Sequence, residues 1–506
     1  MIDFTPIARK ILNYRIKDAS RWNEDTKKVQ LHQLDYIVKK GRHTLFGQSH
    51  SLDKVESYDD FVKHVPMADY EDFRPLVMRM IAGEKDLLWP GVTVRYAQSS
   101  GTTGGKSKYI PITDDSLHIN HYAGTSYVVA HYLHLYHDSR LFSGKAFILG
   151  GSYANELSLP PHVKVGDLSA TLIDCMNPMA EMYRVPNKEI ALMKDWHDKL
   201  SALIDASIKE NITNISGVPS WFLTVLKGVI AKAGAASIHD VWPNLEVFFH
   251  GGISFAPYSD EYARITTPGK MRFFETYNAS EGFFATQSAV DDKSMLLLLD
   301  TGIFYEFVPI EDIDDPEAEA LPAWMVEPGR TYALVITACN GLWRYRLGDT
   351  VRIESVEPLK ITIAGRTKSF INAFGEELMV NNAEAAMTRT CHQLGCTVVD
   401  YTAGPVYTSG AHKGRHEWWI QWGVPPKDME EFSDLLDANL QQENSDYQAK
   451  RTGGIFLDRL SVRTAPAGLF DAWLESTGKL GGQRKVPRLS NTPDIINSLA
   501  ALNDKF

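Results

Sequence analysis

The sequence predicts an α/β protein of more than one domain, and three observations carry that expectation. The chain has 506 residues with 44% hydrophobic and 11% aromatic content, enough for several cores at roughly one domain per 150 residues. From Thr93 short apolar runs end in glycine-rich turns, as in VRYAQSSGTTGGKS, AFILGGSY, LEVFFHGGIS and FFETYNASEGFFATQ, the texture of an α/β sheet. Between Met295 and Ile353 the runs MLLLLD, GIFYEFVPI, TYALVITAC and DTVRI follow one another with few helical signals, which predicts an antiparallel or barrel-like β section.

Taken in chain order, residues 1 to about 90 show helical spacing, with Ile7, Ile11 and Tyr14 followed by Leu31, Leu34 and Ile37, and are expected to form a helical scaffold. After GRTKSF at Gly365 to Phe370, helix-like pieces such as NNAEAAMTRTCHQLG and EEFSDLLDANLQQ alternate with strand-like ones. A domain boundary is therefore expected near Arg366 to Ser369, giving domains 1–365 and 366–506. The tryptophan-rich HEWWIQWG, His416 to Gly423, alternates as a strand of the C-terminal sheet does. No internal repeat or low-complexity segment interrupts the chain.

Composition narrows the function. Lys and Arg total 52 against 63 Asp and Glu, a net charge of -11, and no basic stripe interleaves with aromatics, so nucleic acid is not an expected partner. Cys175, Cys339, Cys391 and Cys396 form no CxxC pair and no metal-ligand spacing with histidines, and are expected to be reduced thiols, mostly buried. The N-terminus mixes charge into its apolar residues, unlike a signal peptide. The longest apolar stretches, such as Met295 to Leu299, fall far short of the ~18 residues that span a bilayer. A soluble, cytoplasmic protein is expected.

The segment SSGTTGGKSKYIPIT, Ser99 to Thr113, follows a strand-like run and concentrates glycines, hydroxyls and two lysines. Glycine lets backbone amides turn toward an anion and hydroxyls add donors, which suits a triphosphate; an ordinary surface turn has the same composition. A Walker A loop needs four residues between its first glycine and the GK pair, and here only three separate Gly101 from Gly105. The loop resembles instead the Ser/Thr/Gly loop of adenylate-forming enzymes, which clasps the β- and γ-phosphates while chemistry occurs at the α-phosphate.

Three further segments follow in order: YNASEG at Tyr277 to Gly282, YRLGD at Tyr345 to Asp349, and GRTKSFINAFGEEL at Gly365 to Leu378. With the loop they resemble the Gretchen Hagen family of auxin-responsive acyl-acid amido synthetases, a branch of the firefly-luciferase superfamily. The resemblance runs from about Thr93 to the end of the chain. It implies a large N-terminal domain of αβ subdomains and a β-barrel, and a small C-terminal α/β domain that rotates between two half-reactions. It also implies ATP and Mg²⁺, a carboxylic acid substrate and an amine acceptor, most simply an amino acid, in a monomer.

Residue roles follow from the same resemblance. Ser99, Ser100, Gly101, Thr102, Thr103 and Lys106 resemble the phosphate loop, although Lys106 fits a solvated lysine too. Tyr277 resembles the aromatic that stacks on adenine, Ser280 the hydroxyl near the α-phosphate, and Glu281 the catalytic carboxylate that holds Mg²⁺, a cation that takes one or two carboxylates plus phosphate oxygens. A helix N-terminal acid is the other reading of Glu281. Asp349 resembles the acceptor of both ribose hydroxyls, a task for an ionised two-oxygen group; a turn aspartate after Gly348 is the alternative. Arg366 resembles a ribose or phosphate contact, and Lys368 stands where the superfamily places its hinge residue. Gly251, Gly252 and Ile253 resemble the backbone run along the adenine. Lys485, in GGQRKVPRLS, resembles the mobile catalytic lysine that stabilises charge at the α-phosphate, or else is an exposed loop lysine.

An acyl pocket is mostly apolar, and HYAGTSYV at His121 to Val128, GVPSWFL at Gly217 to Leu223 and FFHGGISF at Phe248 to Phe255 are its candidate walls. Trp221 and Phe222 fit a core equally well, and His250 a structural role. The expected reaction has two steps: the acid attacks the α-phosphorus of ATP to give acyl-AMP and pyrophosphate, then an amine takes the acyl group and expels AMP. A coenzyme A ligase and a non-catalytic nucleotide-binding module are the alternatives. GGKSK in the loop and Lys368, where many superfamily members have Asp, favour the amine. The chain is shorter than the plant members and has Thr103 where they commonly have Ser, so it resembles a bacterial-type relative and the likeness does not extend to a plant-hormone substrate.

Overall fold

The first eighty residues fold as helices because polar caps start them and apolar faces hold them. Asp25 accepts from Lys28 N ahead of Thr26–Gly41, Ser57 accepts from Asp60 N ahead of Tyr58–His64, and Asp69 and Asp72 form a capping box on Tyr70–Ile81. Leu34, Ile37, Phe61, Phe73 and Val77 are buried beneath them. The first helix, Thr5–Trp22, departs from expectation: its stripe of Ile7, Ile11 and Tyr14 is 56%, 63% and 47% exposed, while Ala19 and Trp22 are the buried apolar residues. Periodicity identified the helix, but its far end faces the core. The computed structural model describes the chain except at residues 1, 23–24, 100–107, 154, 156, 253–254, 256–257, 314, 316, 367–369, 372–375, 377, 407–413, 445–446, 449–450, 452–456, 478–484, 491 and 505–506, and gives backbone alone at 99, 196–197, 220, 366 and 370.

Two compact units form: one from 1–101, 106–252 and 265–362, the other from 102–105, 253–264 and 363–506. In the first, β1 (Arg95–Ser99), β2 (Lys108–Pro111) and β4 (Lys164–Gly166) make a small sheet in the order β2-β1-β4. The large sheet is built from β3 (Lys145–Ile148), β5 (Arg184–Val185), β6 (Ile212–Gly217), β7 (Val247–Gly251), β8 (Arg272–Ala279), β9 (Gly282–Gln287), β10 (Met295–Leu297), β11 (Ile303–Pro309), β12 (Leu321–Pro322), β13 (Thr331–Ala338), β14 (Leu342–Val356) and β15 (Leu359–Arg366). Their order is β12-β11-β13-β14-β15-β10-β9-β8-β7-β6-β3-β5.

One side of that sheet, from β8 to β5, is parallel and the other is antiparallel, and β8 is the seam. It runs parallel to β7 on one side and antiparallel to β9 on the other. On the parallel side a crossover helix, Pro219–Ala233, separates β6 from β7. The β section expected between Met295 and Ile353 is the antiparallel half, continued into β8, β9 and β15. Every residue of β11 is buried, Glu306 included, which explains why it reads as an apolar run broken only by that acid.

The second unit has its own core around β18 (Thr397–Val406), β19 (Arg415–Val424) and β20 (Ser461–Thr464), with the short pair β16 (Phe370–Ile371) and β17 (Leu378–Met379) beside its chain start. The Trp-rich segment is β19, and Trp418 and Trp419 are buried core residues. Its His416 Nε2 lies 2.7 Å from Glu376 Oε1, both side chains fully buried. Helices Val380–Leu394 and Met429–Glu443 pack against each other in this unit.

Candidate active site

The loop predicted to hold phosphates has its ends brought together. β1 and β2 pair antiparallel with Ser99 opposite Lys108, so the two strand ends that flank the loop lie side by side. Ser99 ends β1; Ser100, Gly101, Thr102, Thr103 and Lys106 lie outside the described residues.

Lys108 starts a chain of polar contacts that sequence reasoning missed. Its Nζ donates to Tyr345 Oη at 2.9 Å and sits over the Tyr70 and Tyr345 rings, 5.8 and 5.5 Å from their centroids. Tyr345 Oη in turn donates to Glu281 Oε1 at 3.3 Å. Tyr345 is fully buried and Glu281 is 7% exposed. Burial, then the Glu281 carboxylate, pushes the Tyr345 phenol well above its ordinary value, so it keeps its proton and remains a donor. The signal was available: Lys108 is the first residue after the loop, and Tyr345 opens the YRLGD motif.

Glu281 lies in the turn between β8 and β9, where Asn340 Nδ2 donates to its carbonyl at 3.0 Å. It is no helix N-terminal acid. Ser280, next to it, is half-buried in the same turn. Tyr277 and Asp349 also meet: Tyr277 Oη donates to Asp349 Oδ2 at 2.6 Å, with the residues 4% and 6% exposed. The Tyr277 ring packs on Phe284 at 4.9 Å between centroids.

Strand irregularities aim these groups. The β8–β9 register slips between Tyr277 and Asn278. In β14 one extra residue falls between the pairs Ile336–Tyr345 and Ala338–Leu342, and two extra between Ala333–Thr350 and Val335–Arg346. The first insertion holds Arg344 at φ +40° and the second holds Gly348 at φ +88°. A bulge turns a strand's side chains off their alternation and is enriched beside active sites, and the second insertion carries Asp349 out of the ladder. Glycine takes the left-handed backbone at Gly348 freely; Arg344 does so at a cost of about 1–3 kcal/mol. Its guanidinium anchors it, donating through Nε to both oxygens of the buried Glu306 at 3.1 and 3.0 Å and through Nη1 to Val65 O at 2.9 Å.

At the end of β7, a Cβ on Gly251 would stand 2.4 Å from Thr276 O and Gly252 has φ +78°, so the strand end lies against β8 and turns as only glycine does readily. Ile253 lies outside the described residues, as does Lys368. Arg366 ends β15 and only its backbone is described. The C-terminal ends of β7 and β8 thus converge at the seam of the sheet, the position where open α/β sheets bind ligands.

Among the candidate acyl walls, Phe222 is fully buried and packs edge-on against Phe147 and Phe248, a core role. Burial pushes His250 down to about 3 and His121 down to about 4, so both are neutral. His121 is 1% exposed and neither ring nitrogen has a hydrogen-bond partner among the described residues.

Lys485 belongs to the second unit and is half-buried. The residues after it are fastened to β18: Thr402 Oγ1 donates to Pro487 O at 2.5 Å, Ala403 N to Arg488 O at 2.9 Å, and Ser490 N to Ala403 O at 2.9 Å. Arg488 pairs with Asp400 and donates to Tyr258 Oη at 3.0 Å. One side of Lys485 is therefore anchored; the glycines before it lie outside the described residues.

This fold is shared with solved acyl-activating enzymes. A 2-hydroxyisobutyryl-CoA ligase crystallised in its postadenylation state with R3-HIB-AMP is 12% identical, with 95% of this chain and 92% of that one covered at a TM-score of 0.61. The fold is the one that ligase has. On the same fold, the GH3.15 acyl acid amido synthetase has a TM-score of 0.76 over 94% of this chain and 93% of its own, at 18% identity. Models of the GH3 family N-terminal, central and C-terminal domains match residues 15–270, 296–366 and 381–494. The chain belongs to the GH3 family, the Gretchen Hagen acyl-acid amido synthetases. Among relatives, indole-3-acetic acid-amido synthetase GH3.4 of Arabidopsis thaliana is 23% identical over 93% of this chain and 90% of the relative.

Proposed function

We propose that the protein activates a carboxylic acid with ATP as its acyl-adenylate, releases pyrophosphate, and transfers the acyl group to the amine of an amino acid. The observation that carries the reading is the convergence of two tyrosine-held carboxylates, Asp349 on Tyr277 and Glu281 on Tyr345, with Lys108 at the base of the Ser/Thr/Gly loop.

In this reading Asp349 accepts the ribose hydroxyls, Tyr277 stands against adenine with Gly252 and Ile253, and Ser280 faces the α-phosphate. Ser99, Ser100, Gly101, Thr102, Thr103 and Lys106 hold the β- and γ-phosphates, with Arg366 a further ribose or phosphate contact. Glu281 fits Mg²⁺, which needs few protein carboxylates when phosphate oxygens complete its shell; no group of three or more His, Cys, Asp or Glu side chains suited to a metal occurs among the described residues. Bound there, Mg²⁺ neutralises phosphate charge. Tyr345, itself held by Lys108, orients the Glu281 carboxylate.

Attack by the substrate carboxylate on the α-phosphorus builds negative charge that Lys485 stabilises. The C-terminal domain, residues 366–506, then moves with Lys368 as hinge, and the amine attacks the acyl carbon and expels AMP. Excluding water during this step protects the adenylate. The protein works as a cytoplasmic monomer, in keeping with an acidic balance of -11 and with no helix among the described residues long and apolar enough to cross a membrane.

Pyrophosphate exchange into ATP across aryl, indolyl and aliphatic acids, followed by product analysis with amino acids or coenzyme A, tests the reading. Exchange plus an N-acyl amino acid is expected. A thioester as the main product overturns the amine assignment, and no exchange with any acid overturns adenylation.

A further inference from the structure

The second unit holds a pair of cysteines that the proposed reaction does not use. Helix Val380–Leu394 ends at Gly395 with φ +65°, and Cys396 N donates back to Cys391 O at 3.1 Å. That six-residue closure brings the side chains of its two end residues together, normally as an apolar contact. Here both ends are cysteine. Cys396 Sγ lies 3.9 Å from Cys391 O, which makes the two thiols neighbours at the helix end.

Both line one cleft, with Met387, Val398 and Asp260. Cys391 is half-buried and Cys396 is 2% exposed. Residues joined by a direct backbone hydrogen bond fall within the roughly 4.4–6.8 Å Cα spacing that a disulfide bridges. The neighbouring thiol lowers Cys396 from its ordinary value and, with burial, raises Cys391: one thiol loses its proton more readily while the other keeps its own. Cys175 and Cys339, the other two cysteines, are also free thiols.

We propose that Cys391 and Cys396 are a thiol–disulfide exchange site whose co-reactant is a low-molecular-weight disulfide. One thiolate of the pair attacks a sulfur of the small disulfide, forming a mixed disulfide and expelling one thiolate, which takes up the released proton. The second cysteine, losing its own proton, attacks the protein sulfur of that mixed disulfide and expels the other small thiol. The two protein thiols are oxidised to one intramolecular disulfide, and the small disulfide is reduced to two thiols.

The test uses the full-length protein, reduced, desalted, exposed to oxidised glutathione and then alkylated under denaturing conditions. Both cysteines fall in the single tryptic peptide 390–413. Expected is that peptide two hydrogens lighter, carrying neither alkyl group nor glutathione, and restored to the dialkylated form by dithiothreitol. Glutathione persisting on Cys391 or Cys396, or both thiols still alkylated once Cys175 has reacted, overturns the proposal.

Discussion

Replacing Asp349 by Asn tests the assignment of the nucleotide site most directly. Asn preserves shape and one acceptor oxygen but removes the charge that receives Tyr277 Oη at 2.6 Å and, in the proposed reading, the ribose hydroxyls. Losing one hydrogen bond to a charged group costs about 1.5–3 kcal/mol, hence a fall of roughly 10- to 150-fold in kcat/KM for ATP. Tyr277→Phe keeps the ring on Phe284, 4.9 Å away between centroids, and deletes only the phenolic donor. Its cost is smaller, and it nearly vanishes in the Asp349→Asn background because the phenol acts through the carboxylate. Pyrophosphate exchange at varied ATP and saturating acid measures both, with thermal unfolding recorded alongside. A folded Asp349→Asn enzyme with unchanged kcat/KM for ATP refutes the ribose role; additive losses in the double variant refute the coupling.

Lys485→Ala is expected to abolish pyrophosphate exchange while sparing amide formation from preformed acyl-AMP; loss of both activities together removes Lys485 from its assigned step. Glu306→Gln strands the Arg344 guanidinium, whose side chain is 5% exposed, and is expected to cost about 3–5 kcal/mol, read as a lower urea midpoint for unfolding of the first unit. Burial holds His121 and His131 down to about 4 and His250 to about 3. Because the unfolded chain protonates these rings below about 6.5 while the folded one does not, stability is present above that pH and is lost as pH falls from there toward 4, by up to about 3 kcal/mol per histidine. Urea midpoints across that range check it, and a flat profile contradicts it.

The elements that were legible in the sequence are those whose signal is local. β11 reads as an apolar run broken only by Glu306 because all of it is buried, β19 as a strand because Trp418, Trp419 and Ile420 make a short bulky apolar run that is buried, and the four motifs because each is contiguous. What stayed hidden depends on register and on distant partners. The motifs mark Lys108 and Tyr345 separately, but nothing local pairs the two across 237 positions, and the extra residues in β14 exist only relative to β13. Motif matching gave Asp349 its expected role, but the bulge at Gly348 that turns it toward Tyr277 is a property of the pair of strands. The outward face of Ile7, Ile11 and Tyr14 shows the complementary failure, since periodicity finds a helix without saying which face meets a neighbour.

The mid-chain stretch Ile253–Arg264 belongs to the second unit although the residues on both sides of it belong to the first. That arrangement bears on protein engineering. A fragment beginning at residue 363 would leave the Arg488 guanidinium without the Tyr258 hydroxyl that accepts from it and open the cleft that Asp260 helps to line. Nor can a single splice near that point move the second unit whole between family members: a chimera that imports the C-terminal segment must import its own version of 253–264 as well, or the graft arrives with a missing wall.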